Sequence, residues 1–341
     1  MKTAIVILNY NGIDLLKQFL PKLCLYSNRK DTEIIIADNN SNDRSLPFLK
    51  REYPFIKAIA FDKNWGFAEG YNRALAQIEA EYYILLNSDV EVSENWLSII
   101  DFLDQNPDIC ACQPKIKSWN NKDFFEHAGA CGGFIDKYGY PFCRGRIFDN
   151  VEKDTYQYEN PIDIFWATGA CLAIRAKDFN ECGGFDKTFF AHMEEIDLCW
   201  RLQLKGKRIA CYPASVVYHI GAKTLNKENP FKTYLNFRNN LFMLYKNLPR
   251  KRLFHVMFIR FWLDYIVFFQ NLFCGRLRNA KAILKARLDY QLKKKYYKGE
   301  RCKIQSLQKV IETIYPHSIV FDYYVLKQKT YLDLNKKRGW I

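Results

Sequence analysis

Asp89 and Glu91 stand one residue apart, directly after the apolar run Tyr82-Tyr-Ile-Leu-Leu86 and the break at Asn87-Ser88. A short run of β-formers of this kind reads as a strand covered on both faces. In an open α/β sheet, ligands bind outside the carboxyl ends of the strands. Two carboxylates there offer hard oxygen ligands for Mg²⁺ or Mn²⁺ carrying a substrate diphosphate. The competing reading is a solvated turn with Ser93 capping the next helix. A second acidic pair, Glu194-Glu195, opens a stretch in which Ile196, Cys199 and Leu202 recur at helical spacing and Asp197 faces Arg201 one turn on. A helix dipole favours the ionised carboxylate at its N-terminus, so an acid placed there stays available as a base, unless it is ordinary capping. His219 ends the short strand Val216-Val-Tyr-His219, as a ligand or as a satisfied hydrogen-bonder, and Lys223 follows it.

These groups need elements to hold them. Thr3–Leu8, Glu33–Asp38, Ile56–Phe61 and Tyr82–Leu86 read as strands, alternating with helical patterns such as Ile13, Leu16, Phe19, Leu20 and Leu23. That alternation predicts an α/β fold with a parallel, doubly wound sheet. Four polar clusters then fall at one edge: Asn9-Tyr-Asn-Gly12, Asp38–Asp43, Asn64–Asn72 and Asp89–Glu91. Asp38 has a short acid able to accept from a base N–H or a ribose hydroxyl. Gly66 and Gly70 would let the backbone approach a ligand. Neither a Gly-Lys-Ser/Thr phosphate loop nor G-x-G-x-x-G occurs, which argues against ATPases and dinucleotide enzymes. Ile109–Ile116 and Asp163–Ile174 read as further strands, and the glycine-rich span from Phe124 to Phe148 is left unassigned.

The chain is large enough for one big domain with an appendage or for two modest domains. Its charge is uneven. Residues 231–341 hold 24 Lys and Arg against 6 Asp and Glu, a net of +18, which leaves −4 for residues 1–230 of the total of +14. Such asymmetry points to two surfaces with different partners. Eleven cysteines, an odd number without Cys-x-x-Cys, fit buried thiols in a reducing cytosol rather than a disulfide framework. The apolar run at the N-terminus is too short for a signal peptide. Phe231–Leu248 is an amphipathic helix ended by Pro249. Leu253–Phe273 is dense in aromatic and aliphatic residues, but Arg260 and Asp264 near its centre would each cost roughly 2.5–3.5 kcal/mol in a spanning helix. A helix in the membrane interface, or packed on the rest of the chain, fits better. Clustered Lys and Arg beyond it suit an anionic membrane surface at about 1 kcal/mol each. Nucleic acid is not expected as a partner, because helix-turn-helix, zinc-finger and RRM signatures are missing.

The order Val6-Ile-Leu-Asn-Tyr-Asn-Gly12, Ala37-Asp-Asn-Asn-Ser-Asn-Asp43, Asn64-Trp-Gly-Phe-Ala-Glu-Gly-Tyr-Asn72 and Leu86-Asn-Ser-Asp-Val90 resembles the family 2 glycosyltransferases. Among them it is similar to the rhamnosyltransferase-like members that build bacterial surface polysaccharides. The resemblance continues through Thr168–Arg175, Gly183-Gly-Phe-Asp186 and Glu194–Arg201, and covers about residues 3–247. It implies a GT-A fold over 1–230, with a nucleotide-sugar half to about residue 108 and an acceptor half from 109. A basic helical region, 231–341, would follow. It implies inverting transfer from a nucleotide-activated sugar, UDP- or dTDP-linked, with Mn²⁺ or Mg²⁺; the basic, aromatic tail adds the expectation of a glycan acceptor carried on lipid at the inner face of the cell membrane.

On the same resemblance, Asp38 looks like the residue holding the nucleobase, with Asp43 on the nucleoside side. Asn9, Asn11, Asn64, Gly66, Asn72 and Ser88 line the donor. Asp89 looks like the metal-binding acid of an Asp-x-Asp motif whose second acid is here Glu91, reaching the metal directly or through water. His219 looks like a metal or diphosphate ligand, and Lys223 offsets diphosphate charge. Glu194-Glu195 match the family's Glu-Asp pair, Glu195 at the position of the base and Glu194 its rival. Apart from the resemblance, Trp166 and the Gly169 turn would form a floor under the acceptor sugar, since aromatic faces pack well on apolar sugar faces, or else Trp166 belongs to the core. A non-catalytic glycan- or lipid-binding relative of the same fold is the alternative.

Overall fold

A computed structural model of the chain describes residues 1–221, 229–307, 309–338 and 340. Lys223 lies outside the described residues. The first half runs β1 (Thr3–Asn9), α1 (Ile13–Tyr26), β2 (Thr32–Asp38), α2 (Ser45–Glu52), β3 (Lys57–Ala60), α3 (Gly66–Leu75), β4 (Tyr82–Leu86), β5 (Val90–Val92) and α4 (Ser98–Gln105). The middle holds β6 (Ile109–Ser118), β7 (Gly133–Asp136), β8 (Pro141–Cys143), β9 (Arg146–Ile147), β10 (Asn150–Val151), β11 (Ile162–Asp163) and β12 (Cys171–Arg175). Then come α5 (Ala176–Glu181), α6 (Glu194–Leu204), β13 (Arg208–His219), α7 (Pro230–Asn247), α8 (Arg250–Phe273) and α9 (Leu277–Lys293). The chain ends with α10 (Lys298–Gln305), β14 (Ile314–Tyr315), α11 (Ile319–Tyr324) and α12 (Tyr331–Arg338).

Among the described residues, nine strands form one sheet, in the order β11-β13-β6-β12-β4-β1-β2-β3 with β5 beside β13. The apolar runs read from the sequence are its centre. Ala4 and Val6 of β1 enter a core with Tyr71 of α3, while Ile5 and Ile7 enter another with Leu16 and Leu20 of α1. A strand covered on both faces has no polar side to show, hence the continuous run. The sheet is not wholly parallel. β1, β2, β3 and β4 run parallel, as do β6 and β13, but β12 is antiparallel to both β4 and β6. The single strand expected over Asp163–Ile174 is two, β11 and β12, and the unassigned span supplies β7, β8 and β9 of a second, five-stranded sheet.

The boundary expected at residue 230 is crossed by structure. β14 pairs parallel with β7. Asp136, at the end of β7, accepts from the Ile319 amide of α11. α7 packs on α6 as well as on α9, with Leu235, Leu241 and Leu244 buried. The C-terminal region is thus interlocked with the sheet domain.

Candidate functional site

The parallel strands bring their ends together. Asn9 closes β1 and Asp38 closes β2, and the two pair in register. Asn9 Nδ2 donates to Asp38 Oδ2 at 2.8 Å, and the Ser41 amide donates to Asp38 Oδ1 at 2.8 Å. Asp38 has no exposed surface, and its carboxylate orders the loop. Asn11 is exposed beside it, and its side-chain oxygen accepts from the Asn42 amide. Asp43 accepts from the Ile13 amide at the head of α1 and from Ser45. Burial would raise its pKa, but these hydrogen bonds outweigh it and hold the carboxyl below its usual value.

The next loop hangs on Asn39, whose amide donates to Asn64 Oδ1 and to the Gly66 carbonyl, both at 3.0 Å. Asn64 itself is exposed at the rim. Gly66 sits at φ +76, and a Cβ there would come within 2.5 Å of Phe190. Asn72 spends both ends of its amide on the Phe185 backbone, at 2.8 and 2.9 Å, and so ties α3 to the chain ahead of α6.

Asp89 sits where β4 gives way to β5, and β5 pairs with the end of β13 so that Val90 faces His219. His219 Nε2 lies 3.0 Å from Asp89 Oδ1, and the Ile220 amide donates to the Asp89 carbonyl. Glu126 Oε2 lies 3.3 Å from the other ring nitrogen. Burial alone would lower the imidazole pKa, but the two carboxylates push it up to about 10. Sequence reasoning misses Glu126, which lies in the unassigned span with no motif to mark it. Ser88, half-buried, precedes Asp89.

Glu91 does not join this pair. Its carboxylate takes Trp119 Nε1 at 3.1 Å, Lys122 at 2.7 Å and Lys22 at 3.0 Å. Burial would raise its pKa, and the two lysines and the indole bring it below the ordinary range. Two cations already neutralise that acid, which leaves it little to offer a third. Among the described residues, no group of three or more His, Cys, Asp and Glu side chains could hold a metal ion. Asp89 supplies an oxygen, and His219 an imidazole nitrogen once a metal displaces the proton that the two carboxylates hold on its ring. That fits a divalent ion whose remaining ligands are substrate phosphates and water, since such ions are commonly held by one or two protein groups.

α6 begins at Glu194, so the two glutamates fall in its first turn as expected, and Arg201 Nε bonds Asp197 at 2.8 Å. The electrostatics differ from the expectation. Burial overrides the helix dipole and raises both carboxyls: Glu195 to about 7, and Glu194 well above its usual value through burial and then the neighbouring Glu195 charge. Glu194 Oε2 and Glu195 Oε2 are buried without hydrogen-bond partners. Glu195 thus keeps one carboxylate oxygen without a partner and a pKa near neutrality, which suits a general base.

The two expected acceptor residues belong to the core. Trp166 is 4% exposed, its indole N–H donates to the Phe134 carbonyl, and Gly133 lies on its ring. Gly169 is also buried, against Phe67. A 640 Å³ cleft lined by Phe102, Asp163, Arg208 and Trp340 lies at the start of β13, the opposite end from His219, and its acid Asp163 is taken by Arg208.

Comparison with known proteins agrees with this geometry. The model of "Glycosyl transferase family 2" matches residues 4–183. The N-acetylglucosaminyl-diphospho-decaprenol L-rhamnosyltransferase of Mycobacterium tuberculosis is 23% identical over 239 residues, covering 66% of this chain and 78% of the relative. Rhamnosyltransferase WbbL of Escherichia coli is 24% identical over 261 residues, covering 73% and 93%. Among solved structures, GalNAc-T7 with UDP, GalNAc and Mn²⁺ superposes with a TM-score of 0.58 at 17% identity. That match takes in 72% of this chain and spans about half the length of GalNAc-T7, 48%. The sheet with its flanking helices is thus a GT-A fold. With a family model matching more than half its length, the chain belongs to glycosyl transferase family 2.

Proposed function

We propose that the protein moves a sugar from a UDP- or dTDP-linked donor, with inversion, onto a hydroxyl of a lipid-linked glycan acceptor. What carries this reading is one run of contacts. Asn9 and Asp38 hold the first loops, Asn39 fixes Gly66, and the carbonyl of Phe190, four residues before Glu194, accepts from the Phe67 and Ala68 amides of α3. The donor loops and the base-bearing turn are therefore one unit. Glu195 takes the proton of the acceptor hydroxyl as its oxygen attacks the anomeric carbon. A new C–O bond forms there, and the bond to the diphosphate breaks on the opposite face, its electron pair leaving with the nucleoside diphosphate. Asp89 and His219 would hold Mn²⁺ or Mg²⁺, which when bound offsets charge on the leaving diphosphate.

α8 supports a place of reaction at the inner face of a membrane. Its inward face carries Val256, Arg260 and Asp264, all buried. Arg260 bonds Asp264, and Arg287 of α9 bonds the same carboxylate at 2.6 Å. Its outward face leaves Phe254, Phe258, Trp262, Ile266, Phe269 and Phe273 exposed. The helix is long and apolar enough to cross a bilayer by length and composition, with 17% of its most apolar window buried. Spanning would cost Asp264 its partner Arg287 and Arg260 its partner Asn240, which supports α8 lying in the plane of an anionic membrane surface. Arg250, Lys251 and Arg252 form its first turn, and Arg276 and Arg278 follow its other end.

The test is a panel of UDP- and dTDP-linked hexoses and deoxyhexoses with Mn²⁺, reading nucleoside diphosphate release with and without a prenyl-diphosphate-linked sugar. Release that needs the metal and rises with acceptor is expected. Binding of the nucleotide sugar without any release would favour a non-catalytic relative and overturn the enzymatic reading.

A further inference from the structure

We propose that Asn239 of α7 is a positioning residue for this reaction, holding the turn that aims Glu195; the inference rests on the reading of Glu195 as base. The turn is strained. Phe190, His192 and Met193 all have positive φ, at +66, +69 and +72. Phe190 adds ψ −60, and the Ala191 amide donates to the Phe189 carbonyl at 2.8 Å. That is the γ-turn geometry rarely found in proteins. Each such residue costs on the order of 1–3 kcal/mol and persists only where its surroundings over-determine it.

Asn239 supplies the constraint. It has no exposed surface, and its Nδ2 lies 2.9 Å from the Phe189 carbonyl, 2.9 Å from that of Ala191 and 2.8 Å from that of His192. Arg238 orients the amide by donating from Nε to Asn239 Oδ1 at 2.9 Å, and its Nη2 reaches the carbonyls of Thr188 and Phe189. From Thr188 to His192, every residue except Phe190 thus directs its carbonyl toward side chains of α7, while the Phe190 carbonyl turns the other way to α3. Farther along α7, Lys246 bonds Asp186 at 2.6 Å and Asp197 at 3.0 Å, and Asn247 bonds Asp197 at 2.9 Å. The base-bearing segment is therefore gripped at both ends by one helix, and that helix lies beyond residues 4–183, the span that marks the family.

Shape alone would need apolar contact here, and three carbonyls converging on one amide are a poor choice for that. They are a good choice for fixing backbone direction. With the amide removed, the turn can relax toward negative φ, and Glu194 and Glu195 turn with the start of α6. A misplacement of about 1 Å at a reacting group is worth about 10²-fold in rate.

The test uses the full chain with Asn239→Ala, and with Arg238→Ala on a partly exposed side chain should the first fail to fold. Two readouts are taken: hydrogen exchange of the amides at 190–197, and steady-state diphosphate release from the UDP- or dTDP-sugar that the wild type turns over. Expected are faster exchange confined to that turn, kcat down about 10²-fold, and a donor KM within about threefold of wild type. Exchange unchanged at 190–197 overturns the proposal. So does faster exchange with kcat intact, which would make Asn239 merely structural. If the wild type turns over none of the sugars, the reaction assignment fails on its own account, and exchange alone then decides whether Asn239 orders the turn.

Discussion

His219 Nε2 stands 3.0 Å from Asp89 Oδ1, a contact that joins positions 130 apart in the chain. It depends on β5 pairing with the last residues of β13, so neither side chain is placed by its own neighbours in sequence. Asp89→Asn keeps the shape and a hydrogen-bonding group for His219 but removes the charge. The wild type should be stabilised in thermal melts by Mn²⁺ with UDP or dTDP, and the variant should fold, lose that shift and turn over roughly 10²- to 10³-fold more slowly. Retention of the metal-dependent shift would remove Asp89 from the site.

The pH dependence follows from Glu195. A base must be deprotonated to act, and burial places this carboxyl at about 7, so kcat should climb with pH through that value and then level off. Stability should move the other way. The folded-state pKa lies above the 4.5 of an unburied glutamate, so between about 4.5 and 7 the folded chain holds a proton the unfolded chain has lost. Stability therefore falls as pH rises through that window. Glu195→Gln should cost roughly 10²- to 10⁴-fold in kcat. Above pH 7 it should also add on the order of 1–3 kcal/mol, the penalty of an unsatisfied buried group. Urea denaturation at pH 5.5 and 8.5 separates the two effects.

The strands were readable because of a local cause. Tyr82–Leu86 is apolar without interruption since both its faces are covered, and that cause sits inside the five residues themselves. The direction of β12 was not readable, because its register against Leu86 and Ala111 is set by partners far along the chain. The partners of Glu91 were hidden for a related reason: nothing near it announces that Lys22 and Lys122 arrive from α1 and from the segment after β6. Trp166 is ambiguous in any sequence, as an indole suits a core or a sugar face equally. Arg260 and Asp264 were informative as misfits in an apolar stretch, yet which way they faced needed Arg287 in place. Asn239 had a faint signal, since Arg238-Asn-Asn240 interrupts the apolar stripe of a helix. A buried polar run of that sort asks for partners, and the sequence does not say that they are backbone carbonyls.

Membrane docking is tested without touching the core. Phe258, Trp262 and Phe269 are 53%, 56% and 47% exposed, so replacing all three with Ser should leave thermal stability near that of wild type. Each large apolar side chain moved from water into the interface is worth up to about 1.5–3 kcal/mol. The triple variant should therefore partition at least tenfold less onto vesicles of phosphatidylcholine with phosphatidylglycerol, while diphosphate release in detergent-free solution holds. Flotation equal to that of wild type would assign the face to something other than lipid.

Two glycines separate strain from collision at the junction of donor loop and base. Gly183 has φ +79 and open space around it, with nothing within 4 Å of where an alanine methyl would stand. Gly183→Ala therefore meets only the left-handed backbone cost, roughly 1–2 kcal/mol. Gly66 has nearly the same φ, +76, but its methyl would stand 2.5 Å from Phe190 Cδ2 and 2.8 Å from the Phe190 carbonyl oxygen. That oxygen accepts from the Phe67 and Ala68 amides at the head of α3, at 2.7 and 3.1 Å, so the methyl forces apart the contact that makes the donor loop and the base-bearing turn one unit. Gly66→Ala should therefore lower kcat/KM by well over tenfold with a melting temperature no more than a few degrees below that of Gly183→Ala, whose activity stays close to wild type. The comparison is made at matched backbone strain, so a loss in the Gly66 variant alone reads the coupling between donor and base. Equal activity in the two variants would mean that the turn at Phe190 does not transmit the position of the donor loop to Glu195.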